Sequence, residues 1–270
     1  MQSQFSAPFR NEFAEPAVQL QVGRHRLSWL PVPARRLAAG VAIIAAVAAP
    51  SVLTLWASTP STSDIQQRVL AATGAHGVVL LGESDVPPLL AQAVVATEDE
   101  RFYSHHGIDT IGLGRAVLYD ATHSCFCQGG STITEQLVKD IYLGGSDAGY
   151  NKIVDIAMAY KVEYVIGKKR ILADYLSEIT TGLNRYGVSQ AACDYFHQPL
   201  GKLTIGQYAL LAGVTQAPSL YDPTIDPGLA AARRSSVLAA MVGDKIITAD
   251  QAAAANAEPV VAPGPAPASC

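Results

Sequence analysis

Two adjacent carboxylates at the end of an apolar segment are the first candidates for chemistry. In the stretch VVATEDERFYSHHGID, an apolar helix is expected to end at Glu98 and Asp99, and Phe102, His105 and His106 follow closely. A carboxylate in that place is partly removed from water and lies near the negative end of the helix dipole, and both effects raise its pKa. The pattern is therefore consistent with a general acid or base, while a solvated acidic pair at the surface is the simpler alternative.

Amphipathic helices must position these carboxylates. Apolar residues recur three and four positions apart, with N-cap residues, glycines and prolines at the ends of the segments. Asp85 is expected to cap the first helix, and Ser131 or Thr132 the second. The short segment 77–80 is a candidate edge strand. We therefore predict a mainly α fold with helices within residues 85–102, 129–143, 151–167, 168–179 and 203–223, and two closing helices within 227–257.

Composition and hydropathy exclude one class of partner and predict a membrane helix. The chain has 19 basic and 23 acidic residues, a net charge of −4, which gives no attraction to nucleic acid by overall charge. Residues 37–58 carry no charge and are numerous enough to cross a hydrocarbon core of ~30 Å as one helix. Arginines outnumber acids before this helix, so the N-terminus is expected in the cytoplasm and the remainder outside. A cleaved signal peptide is the alternative, but its apolar region is usually shorter.

These features divide the chain into five segments. We expect a cytoplasmic tail over residues 1–36, the membrane helix over 37–58 and a linker over 59–85. One helical domain is expected over 86–250, followed by a Pro/Ala-rich tail over 251–270 without a core of its own.

Export permits disulfides, and the chain has four cysteines. A metal site of His123, Cys125 and Cys127 is disfavoured because the C-x-C spacing lacks a matching second half. A bridge from Cys193 to Cys125 or Cys127 is the preferred pairing, which leaves Cys270 as a free thiol.

An ordered series of motifs resembles the family 51 peptidoglycan glycosyltransferases. The stretch EDERFYSHHGID is similar to the first motif of that family, and GGSTITEQLVKD is similar to the second. NKIVDIAMAYKVEYVIGKKRILADYL aligns without gaps with the third and fourth, and YGVSQAACDYFHQPLGKLTIGQYALLAGVTQAPSLYDP resembles the fifth and the segment beyond it. The likeness runs from about residue 86 to residue 241, and several long motifs in order are a specific signal.

The resemblance implies a lysozyme-like helical domain, with one N-terminal transmembrane helix, on the outer face of the cytoplasmic membrane. It implies polymerisation of lipid II into glycan strands, with inversion at the anomeric carbon and release of undecaprenyl pyrophosphate. Glu98 matches the general base that takes the proton of the acceptor hydroxyl. Asp155 matches a second catalytic carboxylate.

The same resemblance implies a set of substrate-binding residues. Cations in this set would offset the negative charge that builds on the leaving pyrophosphate. A divalent cation, Mg²⁺ or Mn²⁺, is the candidate cofactor that Asp155 could share with the pyrophosphate, although the sequence does not reveal whether one is required. The matching substrate-binding positions are Asp99, Phe102, His105, Arg115, Ser131, Thr132, Gln136, Lys139 and Lys152.

The sequence departs from the family pattern mainly at the positions expected near the pyrophosphate. Asn151 replaces an arginine of the third motif, and asparagine cannot replace a bidentate phosphate clamp. Asp155 replaces a glutamate and is shorter by one methylene. Glu135 replaces a glutamine of the second motif and adds a negative charge. Asp140 and Ser177 replace asparagines.

Three functions compete on these grounds. The first is a monofunctional, membrane-anchored peptidoglycan glycosyltransferase that acts on lipid II and the growing strand, since no transpeptidase domain follows residue 250. The second is a weak or inactive relative that binds lipid II or cell-wall synthesis enzymes as a scaffold, with penicillin-binding transpeptidases or division proteins as partners. The third is a glycan-cleaving hydrolase, which only fold analogy favours. The apolar segment 108–126 either dips toward the bilayer, as in the family, or belongs to the core.

Overall fold

A computed structural model describes residues 32–123, 130–146, 149–264, 267 and 270. The described residues form eleven α-helices, one short 3₁₀ helix and a two-stranded sheet, which confirms the prediction of a mainly α chain. The chain divides into two units, Met1–Val52 and Leu53–Cys270.

The first described helix, α1, runs from Val32 to Ser58 and contains Pro50. Its part Arg36–Ser58 is long and apolar enough to cross a membrane, by length and composition alone. The prediction of a candidate membrane helix in this part of the chain is therefore confirmed, whereas its orientation stays a prediction.

The remaining helices belong to the second unit. They are α2 (Ile65–Ala75), α3 (Pro88–Glu98), α4 (Thr110–His123), α5 (Ile133–Tyr142), α6 (Tyr150–Val165), α7 (Lys168–Glu178), α8 (Val188–Phe196), α9 (Ile205–Val214), α10 (Pro227–Gly243) and α11 (Ala249–Asn256). The short strands β1 (Thr180–Gly182) and β2 (Arg185–Tyr186) pair antiparallel between α7 and α8. The segment 77–80, a candidate strand in the sequence, is irregular instead.

The core is built around α9, which packs against α3, α10 and α11. Thr204 caps this helix in a reciprocal capping box with Gln207, which satisfies two backbone donors at the helix start. Nearly all of α9 is buried, as expected for a helix that is apolar on every side. A second group of helices, α5 with α6 and α7, packs in the same unit. Together these helices fix the ends of α3 and α5, where the candidate site lies.

Local start and stop signals predicted several helix ends correctly. Helix α3 ends at Glu98, as the sequence indicates. Thr132 caps α5 through a capping box with Glu135, so Thr132 rather than Ser131 is the N-cap. The prediction for Asp85 is wrong, because Pro87 precedes α3 and the carboxylate of Asp85 accepts a hydrogen bond from the backbone of Gly82 instead.

Two segments expected outside the core pack into it. Helix α2 lies within the predicted linker 59–85, and Ile65 and Val69 on its inner face are fully buried. The helix was missed because its sequence, IQQRVLAATGA, has a weakly apolar face. The predicted tail 251–270 contains most of α11, whose Ala255 is also buried. Helix α11 is the second of the two closing helices predicted within 227–257, and the boundary of the tail stays a prediction.

The structure also corrects the disulfide pairing. Cys193 on α8 is bonded to Cys270, so Cys270 is not a free thiol and Cys193 does not pair with Cys125 or Cys127. The backbone N–H of Ala262 donates to the carbonyl of Tyr195 at 2.7 Å, which holds the same segment beside α8. Cys125 and Cys127 lie outside the described residues, so the alternative of a metal site there stays untested.

Candidate active site

The carboxylate of Glu98 lies in the interior at the point where α3 ends. Its side chain is 8% exposed. Oε1 accepts a hydrogen bond of 3.3 Å from Nη2 of Arg233 on α10, and Oε2 accepts one of 3.5 Å from Nε2 of Gln136 on α5. The hydroxyl of Tyr175 donates to Oε1 of Gln136 at 3.1 Å. Because that contact fixes the amide, Gln136 presents its N–H₂ group to Glu98.

Burial sets the acidity of Glu98. Removal from water raises the pKa of this carboxyl group above its ordinary value, and the negative charge of Asp99 adds to the shift. The charge of Arg233 and the hydrogen bond from Gln136 act in the opposite direction without cancelling it. A carboxylate with a raised pKa is a stronger base than a solvated one, which suits proton transfer.

Asp99 forms a separate polar cluster beside Glu98. Its two oxygens lie 2.9 and 3.0 Å from Nε2 of His105, and Oδ2 accepts a hydrogen bond of 3.1 Å from the backbone N–H of Ile133. Burial raises the pKa of Asp99, although His105 opposes the shift. Since Ile133 is the first residue of α5, this cluster ties the loop after α3 to the positive end of the α5 dipole.

Two small cavities lie beside the start of α5, the first between the end of α3 and helix α4 and the second between α4 and α6. The first has a volume of about 120 Å³, and the second one of about 140 Å³; both are lined by Ser131. Lys152 and Glu135 line the second. The predicted site residues that line the first are Glu98, Asp99, Arg115, Ser131 and Thr132. The folded chain therefore brings residues of the first two motifs to one opening.

Lys152 on α6 lies between two buried carboxylates. Its Nζ donates to Oε1 of Glu135 at 2.8 Å, to Oδ2 of Asp155 at 3.1 Å and to Oγ of Ser131 at 2.9 Å. The side chains of Glu135 and Asp155 are 3% and 1% exposed. Partial burial would lower the pKa of Lys152, but the hydrogen bonds and charges of both carboxylates outweigh it and raise that pKa. The ammonium is therefore charged, and carboxylates of the same chain balance its charge.

Thr132 and Arg115 contribute to the first cavity in different ways. Thr132 caps α5 and donates to the carbonyl of Gly107 at 2.7 Å. Gly107 has φ +74°, and a Cβ there would come 2.8 Å from the backbone nitrogen of Tyr160, so a larger residue would displace the loop. The side chain of Arg115 on α4 is mostly exposed, and its Nη1 lies 2.9 Å from Oε2 of Glu100. Thr132 thus shapes the first cavity, and Arg115 is a cation at its rim.

The structure changes the reading of three predicted residues. Phe102 is fully buried, with its ring centroid 4.3 Å from Nζ of Lys168. It packs in the core beneath the first motif, and the prediction that it contacts substrate stays a prediction. Asp155 lies beneath Lys152 and Lys139 lies in the last turn of α5, and neither is among the residues that line the two cavities.

The described residues do not fit a resident Mg²⁺ or Mn²⁺ ion. Within the described ranges, no group of three or more His, Cys, Asp or Glu side chains is placed to hold a metal ion. Glu135 and Asp155 are two buried carboxylates on the cation side of the site, and the ammonium of Lys152 bridges them. A divalent ion needs several oxygen ligands around it, and here Lys152 occupies the position between the two carboxylates.

Helix α4 is largely exposed, which bears on the reading of the segment after the first motif as core, while a contact with the bilayer stays a prediction. Of the residues of α4, Ala116 alone is buried, while Ile111, Val117 and Leu118 are exposed. The reading of this segment as core is therefore wrong for residues 110–123. The rest of the predicted segment, residues 124–126, lies outside the described part of the chain.

Comparison with known proteins identifies the family of the chain. A profile described as Transglycosylase matches residues 41–242. The chain belongs to this family. The match confirms the resemblance found in the sequence and the prediction of a glycosyltransferase enzyme.

Curated relatives of this transglycosylase-family chain carry the same name in different organisms. It is 38% identical to penicillin-binding protein 1A of Haemophilus influenzae over 179 residues, which are 66% of this chain and 21% of the relative. It is also 38% identical to penicillin-binding protein 1A of Vibrio cholerae over 194 residues, 72% of this chain and 24% of the relative. The chain therefore spans about a quarter or less of the length of these relatives.

The crystal structure of the Haemophilus influenzae protein at 2.6 Å resolution is also similar, with 25% sequence identity and a TM-score of 0.42. The superposition covers 70% of this chain and 18% of the other.

Proposed function

We propose that the chain polymerises lipid II into glycan strands and releases undecaprenyl pyrophosphate. One observation carries the proposal: a buried carboxylate with a raised pKa, Glu98, lines a cavity that also has a cation at its rim, Arg115. Lys152 lies in the adjoining cavity. A base and cations on either side of a small opening suit a sugar transfer from a pyrophosphate leaving group.

In the proposed reaction Glu98 is the general base. Its carboxylate takes the proton from the acceptor sugar hydroxyl, and the hydroxyl oxygen attacks the anomeric carbon of the donor. The bond from that carbon to the pyrophosphate breaks with inversion, and the electron pair leaves with the pyrophosphate. Gln136 and Arg233 hold the carboxylate in position through its two oxygens, so little reorientation is needed when the hydroxyl arrives.

On the leaving-group side, Lys152 and Arg115 are the proposed cations. Each is paired with carboxylates of the same chain, so a pyrophosphate must replace those partners when it binds. Asp155 contacts Lys152, and we assign it the role of positioning that ammonium rather than a contact with substrate. Since the described residues do not fit a divalent cation, no step is assigned to one.

The protein is proposed to work at the outer face of the cytoplasmic membrane as a single-pass protein with its N-terminus inside. The apolar helix Arg36–Ser58 supports an anchor. The Cys193–Cys270 disulfide supports an oxidising compartment for the domain. The exposed apolar side chains of α4 are the proposed contact with the bilayer, where a lipid-linked substrate remains.

The test is a product assay with the full-length protein in detergent. Purified protein is incubated with lipid II, and both glycan polymer and undecaprenyl pyrophosphate are measured. We expect both products from the wild type and neither from Glu98→Gln. Glu83→Gln, which changes an exposed glutamate outside the site, is the matched control and should retain activity.

A scaffold that binds lipid II or cell-wall synthesis enzymes, such as penicillin-binding transpeptidases or division proteins, is the second candidate. The observation in its favour is that Lys152, the cation of the second cavity, is already balanced by Glu135 and Asp155. The same assay separates the two functions. Lipid II that binds to the wild type and yields neither product would support the scaffold.

A further inference from the structure

Arg233 lies far from the first motif in sequence, yet its guanidinium is the cation that contacts the proposed base. It is separated from Glu98 by 135 positions, and Nη2 donates to Oε1 of Glu98 at 3.3 Å. Its side chain is 12% exposed. Nε donates to the carbonyl of Gly213 on α9 at 3.3 Å, and the guanidinium carbon lies 5.7 Å from the centre of the Tyr221 ring.

The backbone around this arginine is built to admit it. A Cβ at Gly213 would come 2.9 Å from Cγ of Arg233, so a glycine leaves the space that the aliphatic stem fills. The next residue, Arg234, points elsewhere and donates to the carbonyls of Asn256 and Pro259. These contacts join α10 to α11. The two adjacent arginines thus have separate partners, and Arg233 is the one directed at Glu98.

A buried base needs an opposite charge to stay ionised. Burial disfavours the carboxylate form of Glu98, and Asp99 disfavours it further. Arg233 supplies the opposing charge, and a guanidinium stays protonated in proteins, so it cannot itself take the proton of a substrate. Only one guanidinium nitrogen contacts one carboxylate oxygen. A bidentate pair would bind the carboxylate more strongly and leave a weaker base.

We propose that Arg233 is a positioning residue of the transfer reaction, which holds the Glu98 carboxylate in place and in its ionised form. This inference rests on the proposed role of Glu98 as the base. The inference gives α10, the helix after the last motif, a role in the proton transfer by Glu98 of the first motif.

Other charged groups near Glu98 define what a titration must take into account. The uncharged Gln136 faces it from α5, and α9 contributes no charged residue. The titratable groups near it are Asp99 at the end of its own helix, Tyr175 on α7, and Glu100, Asp109 and Arg115 around the first cavity. Since Arg233→Met changes none of these, a shift that follows it is due to the lost guanidinium.

The first experiment measures kcat/KM for polymerisation against pH in Arg233→Met, Arg233→Lys and the wild type. Arg68→Met, which removes an arginine from a surface ion pair, is the matched control. We expect the rising limb of the Arg233→Met profile to move to higher pH by roughly one unit, since an opposite charge within 4–6 Å lowers a carboxyl pKa by about that much or more. Arg233→Lys should move less, and Arg68→Met should not move.

A loss of activity by the same factor at every pH, with the rising limb in place, would overturn the proposal and leave Arg233 a packing role. Arg233→Lys keeps both the charge and most of the stem. If Arg233→Met does not fold, the uncharged Arg233→Gln takes its place: a rising limb at higher pH than in Arg233→Lys supports the proposal, and equal limbs in these two variants refute it.

A second measurement does not depend on activity. The full-length protein is labelled with ¹³C at its glutamate carboxyl groups, and the Glu98 signal is identified by its absence in Glu98→Gln. We expect this signal to titrate at higher pH in Arg233→Met than in the wild type, and equal midpoints would contradict the inference. If the wild type forms no polymer, the proposed function fails while this titration still decides whether Arg233 keeps Glu98 ionised.

Discussion

The two sides of the candidate site hold their charges in opposite ways. On the base side, Glu98 is buried and its carboxyl pKa is raised. Its carboxylate accepts one hydrogen bond of 3.3 Å from Arg233 and one of 3.5 Å from the amide of Gln136. On the cation side, Lys152 has short contacts to two carboxylates and its pKa is raised as well. The base is therefore destabilised in its charged form, whereas the cation is stabilised in its charged form.

This difference indicates how each side must meet a substrate. The base is ready to accept a proton, because protonation relieves the energy of a buried charge. The cation must first exchange Glu135 and Asp155 for phosphate oxygens. The negative charge that Glu135 adds lies on the cation side, so under the proposed function we expect the departures of this sequence from its family to affect pyrophosphate binding more than proton transfer.

Apart from loss of the base itself, the largest expected effect comes from removing Lys152, the cation between the two carboxylates. Lys152→Met should lower the polymerisation rate by about 10²-fold, as loss of one charge-stabilising donor does in other enzymes. It should also lower the thermal unfolding temperature, because Glu135 and Asp155 lose their shared partner in the interior. Rates and melting curves of Lys152→Met and of Lys169→Met, an exposed lysine control, check both effects. An unchanged rate would show that the cation side does not contact the leaving group.

A smaller effect, on stability, is expected at Glu178, the last residue of α7. Burial, followed by the charge of Asp140, raises the pKa of Glu178 to about 7. A raised acid pKa means that the folded state binds the extra proton, so stability falls as pH rises from about 4.5 through 7. Glu178→Gln removes that penalty and should be more stable than the wild type at pH 8, by about 1 kcal/mol after allowance for partial exposure.

Thermal unfolding at pH 4 and pH 8 measures this difference for Glu178→Gln and for the exposed control Glu83→Gln. The gain should vanish at pH 4, where both states of the wild type are protonated. The same gain at both pH values would mean that packing, rather than charge, is responsible.

The smallest expected effect restores the family residue on the cation side. In Glu135→Gln, the capping box at Thr132 is retained because glutamine also accepts the backbone hydrogen bond. Lys152 loses one of its two carboxylate partners. We expect KM for lipid II to fall by about threefold to fivefold, since one partly exposed ion pair is worth up to about 1 kcal/mol. An unchanged or higher KM would show that Glu135 does not compete with the substrate.

The sequence predicted features that depend on neighbouring residues. The end of α3 at Glu98 and the cap at Thr132 follow from local signals, and the structure has both. The motifs predicted that Glu98, Ser131 and Arg115 would meet, and they line one cavity.

The features that the sequence did not predict depend on contacts between residues that are far apart along the chain. The contact of Arg233 with Glu98 joins positions 135 apart, and in the sequence Arg233 is one of two adjacent charges on a closing helix. The Cys193–Cys270 bond depends on where the end of the chain packs, which spacing does not reveal. Phe102 matched a motif position, and the sequence does not reveal that its side chain is fully buried.

The most direct test of the central claim separates binding from turnover in the wild type and Glu98→Gln. Lipid II affinity and the single-turnover rate are measured for both proteins under the same conditions. If Glu98 is the base, the variant should bind lipid II with a similar Kd and react slower by about 10²- to 10⁴-fold, the range of general base catalysis. Equal rates in the two proteins would contradict the account, and binding without turnover in the wild type would identify a scaffold instead.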